Sequence, residues 1–108
     1  MPLSIADLMS KMPSAFVPEK AQGLDVTLQF KFTGAEPGEW YADIKDGKVN
    51  VQQGAHPNPK MTLTAESEDY IKLFTGQLDP MQAFMAGKLK LTGDLNLAMK
   101  MTQFFKMR

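Results

Sequence analysis

Apolar and polar residues alternate along five short segments of the chain, as they do in half-buried strands. The clearest case is LDVTLQFKF at 24–32, where every second residue is apolar and the residues between them are polar. The same period recurs in EWYADIK, KVNV, KMTLTA and KLKL. The pair Asp46-Gly47 separates the second and third segments and predicts a tight hairpin turn. The pattern therefore predicts a five-stranded, mostly antiparallel sheet with one apolar face.

Segments with the 3.6-residue spacing of amphipathic helices supply a cover for that face. The first spans 4–16, where Ser4 is a candidate cap and Pro13 is expected to kink or end the helix near Met12. The strands are followed mostly by helices and joined by hairpins rather than by regular crossovers. We therefore predict an α+β fold with two layers, in which helices cover one face of the sheet.

The other predicted helices begin with side chains that can cap them. The segment 66–76 has Ser67 as a candidate N-cap, with acidic residues in its first turn. The segment 79–87 has Asp79 as its cap and a proline at the first helical position. The last helix is predicted to start at Asp94 in the same way.

The last helix is apolar over more of its circumference than a surface helix requires. With an advance of about 100° per residue, its apolar side chains from Leu95 to Phe105 cover roughly 220°. A stripe about 100° wide is sufficient to seal a helix to a core. The excess fits a sandwiched core helix or a dimer interface, and it also fits the lining of a cavity for an apolar ligand.

Composition narrows the classes of function. The length of 108 residues predicts one domain, and a net charge of zero without a basic block predicts no nucleic-acid partner. Cysteine is absent, the apolar runs are too short to cross a bilayer, and no secretory signal pattern is present, so we expect a cytoplasmic protein. The nine methionines suit a surface that repacks around different shapes.

No constellation of residues predicts catalysis, a metal site or a cofactor. The single histidine, His56, lies in a loop rich in turn formers, and the acids at 66–69 fit the first turn of a helix. Asp25 and Asp43 fall on the polar phase of their strands, away from the apolar face. A lipid isomerase or thioesterase is the enzymatic alternative, and it would need a carboxylate such as Asp43 or Asp94 in the pocket.

The segment GQLDPMQAFMAGKLKLTGDLNLAMKM at 76–101 resembles the C-terminal signature of the sterol carrier protein type 2 family. The matching positions are Phe84, the run GKLK at 87–90, the pair Gly93-Asp94, and LAMK at 97–100. Similarity extends to FVPEKAQGLDVTLQF and to the IKDGKV hairpin, so it covers nearly the whole chain.

The resemblance implies a five-stranded sheet layered with helices around a hydrophobic tunnel. It implies non-enzymatic binding and transfer of fatty acids, fatty acyl-CoA, sterols or phospholipids, with transient membrane contact. Two alternatives stay open: a module that presents lipid to a separate lipid-metabolising enzyme, and a small dimeric interaction domain with a filled core. The residues expected to line the tunnel, chosen by face and by the family's tunnel-forming elements, are Trp40, Leu73, Phe74, Met81, Phe84, Met85, Leu95, Leu97, Met99, Met101 and Phe105.

Overall fold

The computed structural model describes residues 4–104, apart from the side chains of Pro80, Ala98, Met99 and residues 101–103. The helices in this range are α1 (Ile5–Ala15), α2 (Ser67–Phe74), α3 (Pro80–Met85) and α4 (Leu95–Phe104), with a short 3-10 helix at Pro18–Ala21. The strands are β1 (Asp25–Thr33), β2 (Gly38–Lys45), β3 (Lys48–Gln53), β4 (Met61–Glu66) and β5 (Leu89–Gly93). None of these helices is long and apolar enough to cross a bilayer.

The strands form one sheet in the order β3-β2-β1-β4-β5. Three of the four pairings are antiparallel, and the central pairing of β1 with β4 is parallel. The register sets Phe30 opposite Trp40 on one side and Leu63 on the other. Because side chains alternate between faces along each strand, the apolar residues of the strands form continuous rows on one face. The predicted α+β fold and mostly antiparallel sheet are confirmed.

The hairpin between β2 and β3 turns at the predicted Asp46-Gly47 pair. Both residues have positive φ, 54° for Asp46 and 72° for Gly47. A two-residue turn of the I′ type needs this conformation at both positions, and its twist matches that of the strands that it joins.

Helices cover the apolar face of the sheet. Helix α1 packs against β3 and α2, while α2 packs against β4, α3 against β5, and α4 against both β4 and β5. The fully buried apolar side chains of this layer include Leu8, Met9 and Met12 from α1 and Leu28, Phe30, Ile44, Met61 and Leu63 from the sheet. The core therefore lies between one sheet face and the four helices.

The polar face of the sheet is covered at one point by the loop that follows β3. Gln29 is buried there, and its side-chain amide donates to the carbonyl oxygens of Trp40 (3.0 Å) and Gly54 (3.1 Å). Its Oε1 accepts from the backbone N–H of His56 at 2.8 Å. Three hydrogen bonds offset the cost of burying this amide, so a polar position on the strand becomes the anchor of a loop.

Helix α1 continues through Pro13 to Ala15, so of the two outcomes expected at Pro13, a kink or an end near Met12, the end is wrong. Proline lacks the backbone N–H that would donate to the Met9 carbonyl, but the buried apolar face of α1 holds the helix against the core, so the loss of one bond does not end it. The helix stops where Phe16 adopts an extended conformation. At the other end, the Ser4 cap is confirmed, since its Oγ accepts from the Asp7 N–H at 3.0 Å.

Ser67 is not an N-cap, contrary to the prediction, because it lies inside α2 and Glu66 occupies the cap position without a side-chain bond. The buried Ser67 hydroxyl instead accepts from the backbone N–H of Glu36 at 3.1 Å. The Glu36 carboxylate accepts from the N–H groups of Ile5 (2.6 Å) and Ala6 (3.2 Å) at the start of α1. The β1–β2 loop therefore ties the first turns of α1 and α2 together, and negative charge at the start of α1 is favourable.

The caps predicted for the last two helices are confirmed. The Asp79 carboxylate accepts from the N–H of Gln82 at 3.0 Å at the start of α3. The Asp94 carboxylate accepts from the N–H of Leu97 at 3.1 Å at the start of α4. Asp79 and Asp94 therefore directly precede α3 and α4, and the carboxylate of each is engaged in a helix cap.

Gly93 at the end of β5 should be the glycine least tolerant of a side chain. Its φ is +88°, and a Cβ atom there would lie 2.5 Å from the carbonyl oxygen of Lys60, which is backbone and cannot rotate away. Gly47 has a φ of +72° but open space around it. We expect Gly47→Ala to lower the free energy of unfolding by about 1 kcal/mol, and Gly93→Ala by at least twice as much. Urea unfolding of both variants checks this, and equal losses would contradict it.

Candidate functional site

The candidate site is the apolar layer between the β4–β5 side of the sheet and helices α2, α3 and α4. Among the described side chains of these helices, the buried aliphatic ones are Leu73, Ala83 and Leu97. They belong to the same hydrophobic cluster as Leu63 and Leu89 on the strands. A layer of this composition can hold an apolar molecule through dispersion contacts and exclusion of water.

Helix α3 reverses the usual arrangement of an amphipathic helix. Its small residue Ala83 is 1% exposed and faces the core, whereas Met81, Phe84 and Met85 are 47%, 44% and 80% exposed. Burial of one alanine stabilises a helix much less than burial of a phenylalanine or methionine would. Helix α3 is therefore only weakly held to β5 by apolar packing.

The residues predicted to line a tunnel fall into three groups. Buried or half-buried against the core are Leu73, Leu97, Trp40 and Phe74. Exposed at the surface are Met81, Phe84, Met85 and Leu95. The side chains of Met99 and Met101 and the whole of Phe105 lie outside the described part of the structure. The structure thus places Leu73 and Leu97 in the buried core cluster, and Trp40 packs against that cluster from β2, where it is paired with Phe30.

An aromatic cluster forms the α2 side of the layer. The Tyr70 ring lies 4.9 Å from Phe32, 5.7 Å from Phe30 and 6.5 Å from Phe74, as measured between ring centroids. The hydroxyl group of the buried Tyr70 donates to the thioether sulfur of Met12 at 3.7 Å. Sulfur is a weak acceptor. Burial raises the pKa of Tyr70.

Tyr70 is the residue of this layer that sequence reasoning missed. The apolar face was expected to contain no acid, base or nucleophile, yet a buried hydroxyl stands among its aromatic rings. The available signal was its spacing: Tyr70, Leu73 and Phe74 lie three and four residues apart, on one face of α2. Tyrosine is easily read as polar, although its ring buries as much surface as that of phenylalanine.

The acids considered for an enzymatic role are all engaged outside the apolar layer. Asp43 accepts from the Thr27 hydroxyl at 3.0 Å on the polar face of the sheet, and Asp94 caps α4. The Nδ1 atom of His56 accepts from the backbone N–H of Asn58 at 3.1 Å, and the His56 ring packs against Tyr41. Within residues 4–104, no group of three His, Cys, Asp or Glu residues is placed to hold a metal ion.

These features define an α+β fold in which helices cover the apolar face of a five-stranded sheet. The model of the SCP-2 sterol transfer family matches residues 6–106. This chain belongs to that family, whose members bind and transfer lipids.

Two relatives and one solved structure show the extent of the similarity. Hydroxysteroid dehydrogenase-like protein 2 of Xenopus tropicalis is 45% identical over 75 residues, which make up 68% of this chain and 18% of that protein. Sterol carrier protein 2 of Homo sapiens is 38% identical over 68 residues, which make up 63% and 12% of the two chains. The solution structure of palmitated SCP2L2 from Aedes aegypti superposes with a TM-score of 0.77 at 26% identity, covering 94% of this chain and 93% of that one. The chain therefore spans less than a fifth of the length of either full relative.

Tyr70→Phe should change the stability of the protein mainly at alkaline pH. Because the folded pKa is raised above the unfolded value of about 10, only the unfolded state loses this proton as the pH rises past 10. The wild type should then lose up to about 1.4 kcal/mol of unfolding free energy per pH unit through this one group. Near neutral pH the variant should differ from the wild type by less than about 1 kcal/mol, because a thioether is a poor partner.

Urea unfolding of both proteins at about pH 8 and about pH 11 measures the difference. The variant should gain stability relative to the wild type between the two pH values. A difference that stays constant would show that the Tyr70 hydroxyl reaches water in the folded state.

Proposed function

We propose that this chain carries lipids with long apolar chains in a cavity between the sheet and helices α2, α3 and α4, without chemistry of its own. The carried classes are fatty acids, fatty acyl-CoA, sterols or phospholipids. The observation that carries the proposal is the α3–β5 contact, where a helix rests on the sheet through Ala83 while its large apolar side chains remain outside. Because α3 covers its part of the layer with one small side chain, little apolar contact is lost when that part opens to admit an apolar molecule.

The palmitated relative supports the choice of cargo. The Aedes aegypti protein has this fold over nearly the whole of both chains and is palmitated in its solution structure. We propose that a fatty acyl chain takes the corresponding place here, with Leu73, Leu97, Met99 and Met101 along its length. Trp40, Phe74, Leu95 and Phe105 complete the proposed lining, while Met81, Phe84 and Met85 surround the entrance.

The energetics suit a carrier that loads and unloads. Transfer of an acyl chain from water into an apolar site gains about 0.8 kcal/mol per methylene, or on the order of 10 kcal/mol for sixteen carbons. A bilayer offers nearly the same gain. Exchange between protein and membrane is therefore close to balanced, and methionine side chains in the lining suit several cargo shapes.

We propose further that residues 1–108 act as one domain and that the protein works in the cytoplasm. The absence of cysteine from the whole chain supports a reducing compartment.

A larger side chain in the layer should compete with the cargo. Leu97→Phe adds volume at a buried position of α4, and we expect it to weaken palmitate binding about tenfold. Ile44→Phe is the matched control, since Ile44 is equally buried but is paired with Val49 of β3, the strand that α1 covers. Both variants should lose similar stability, while only the first loses affinity.

Calorimetric titration of palmitate and of palmitoyl-CoA, without vesicles, measures the affinities, and circular dichroism checks the folding of each variant. Equal affinities in the two variants would contradict the proposed position of the cargo. A wild type that binds neither compound would contradict the proposed function itself.

A second candidate function is presentation of lipid to an enzyme. The similar part of the frog relative is 18% of a protein whose name is that of a hydroxysteroid dehydrogenase-like protein, so the same fold occurs joined to other sequence. Presentation predicts that a lipid-metabolising enzyme turns over in proportion to the concentration of loaded carrier. Turnover that follows only the free lipid concentration would favour simple carriage.

A further inference from the structure

Helix α3 presents an apolar surface that the described fold leaves uncovered. We define the α3 patch as Met81, Phe84 and Met85, which are 47%, 44% and 80% exposed on a helix of six residues. Exposure of three large apolar side chains on one short element is unfavourable in water. Large apolar side chains that are exposed together on one element are typical of a contact surface.

The size of the patch excludes a stable protein interface built on it alone. Such interfaces bury about 800 Å² per partner, or about 20 residues on each side. Three side chains on a helix of less than two turns supply only a fraction of this area. A bilayer has no such threshold, because each side chain that enters the acyl region gains transfer free energy independently.

One charge beside the α3 patch fits a phospholipid headgroup layer. The backbone N–H of Lys88 donates to the carbonyl oxygen of Ala83 at 2.9 Å, so this exposed lysine is fixed to the end of α3. A long lysine side chain reaches lipid phosphates while its stem stays near the apolar boundary. A cation at the end of an exposed apolar helix face is therefore the arrangement that suits a helix lying in the headgroup region.

We propose that the α3 patch inserts into the headgroup boundary of a phospholipid bilayer, with Lys88 at the phosphates, and that cargo passes between membrane and protein at this contact. This membrane-docking role rests on the proposed carrier function. It assigns the contact to α3 at the β5 edge of the sheet and not to the opposite edge at β3.

Single-cysteine labelling tests the assignment directly, because the chain has no cysteine of its own. Met85→Cys carries an environment-sensitive dye on the α3 patch, and Lys48→Cys carries the same dye at an exposed site on β3, at the far edge of the sheet. With phosphatidylcholine vesicles we expect a blue shift and an intensity gain at position 85 only. An equal response at both positions, or a response only at 48, overturns the proposal.

Vesicle co-sedimentation of unlabelled protein gives an independent measure. We expect Phe84→Gln combined with Met85→Gln to weaken vesicle binding by about tenfold or more. Lys48→Gln combined with Asn50→Gln is the matched control, since both residues are exposed on β3 at the far edge of the sheet, and it should stay within about twofold of the wild type. On vesicles with added phosphatidylglycerol, Lys88→Ala should weaken vesicle binding about fivefold and leave palmitate affinity unchanged.

The outcomes separate this proposal from the carrier function. Palmitate titration of the wild type without vesicles tests the carrier function alone. If palmitate does not bind but the dye at position 85 still shifts on vesicles, the carrier function is contradicted and the membrane contact is supported. A dye shift at position 85 that appears with rising protein concentration and no vesicles would show that a second copy of the chain covers the patch, and would overturn membrane docking.

Discussion

The structure depends on the register of β1 against its two neighbours. Strand β1 pairs antiparallel with β2 and parallel with β4, and on its covered face Leu28 and Phe30 each meet apolar partners on both sides. Because side chains alternate between faces, a slip of one residue would move Leu28, Phe30 and Phe32 to the polar face together. On the opposite face of β1, the buried Gln29 side chain also opposes the slip. Its hydrogen bonds to the carbonyl oxygens of Trp40 and Gly54 and to the backbone N–H of His56 form only in this register. Both faces of the central strand therefore specify the same alignment.

Much of this fold could be predicted from local patterns, and the departures have local physical reasons. Period-two alternation located the strands, and short-range capping chemistry located the start of α3 at Asp79. Pro13 misled because tertiary packing of the buried face of α1 outweighs the loss of one backbone hydrogen bond, so the helix continues for two more residues. Ser67 misled because its hydroxyl is engaged by Glu36, which is 31 residues away in sequence. Sequence spacing alone carries no signal for such a bond, nor for the parallel pairing of β1 with β4.

The candidate site could be predicted as a region but not residue by residue. Apolar residues of a core, of a cavity wall and of an exposed patch have the same hydropathy, and only packing separates Leu97 from Met85. Helix α3 shows the difference best, because its smallest apolar residue faces inward and its largest face outward. A domain of this size buries too little surface to maintain a large permanent void. A weakly held helix over an apolar layer reconciles that limit with the need to admit a lipid.

The central claim is that the layer under α2, α3 and α4 receives a lipid. Native mass spectrometry of the freshly purified protein, followed by solvent extraction of what travels with it, tests this most directly. The account predicts a population heavier than the bare chain by the mass of one lipid, with palmitate added where the purified protein is empty. A bare mass that persists with excess palmitate and palmitoyl-CoA would contradict the account, and would show that the apolar surplus of the chain serves only as core or interface.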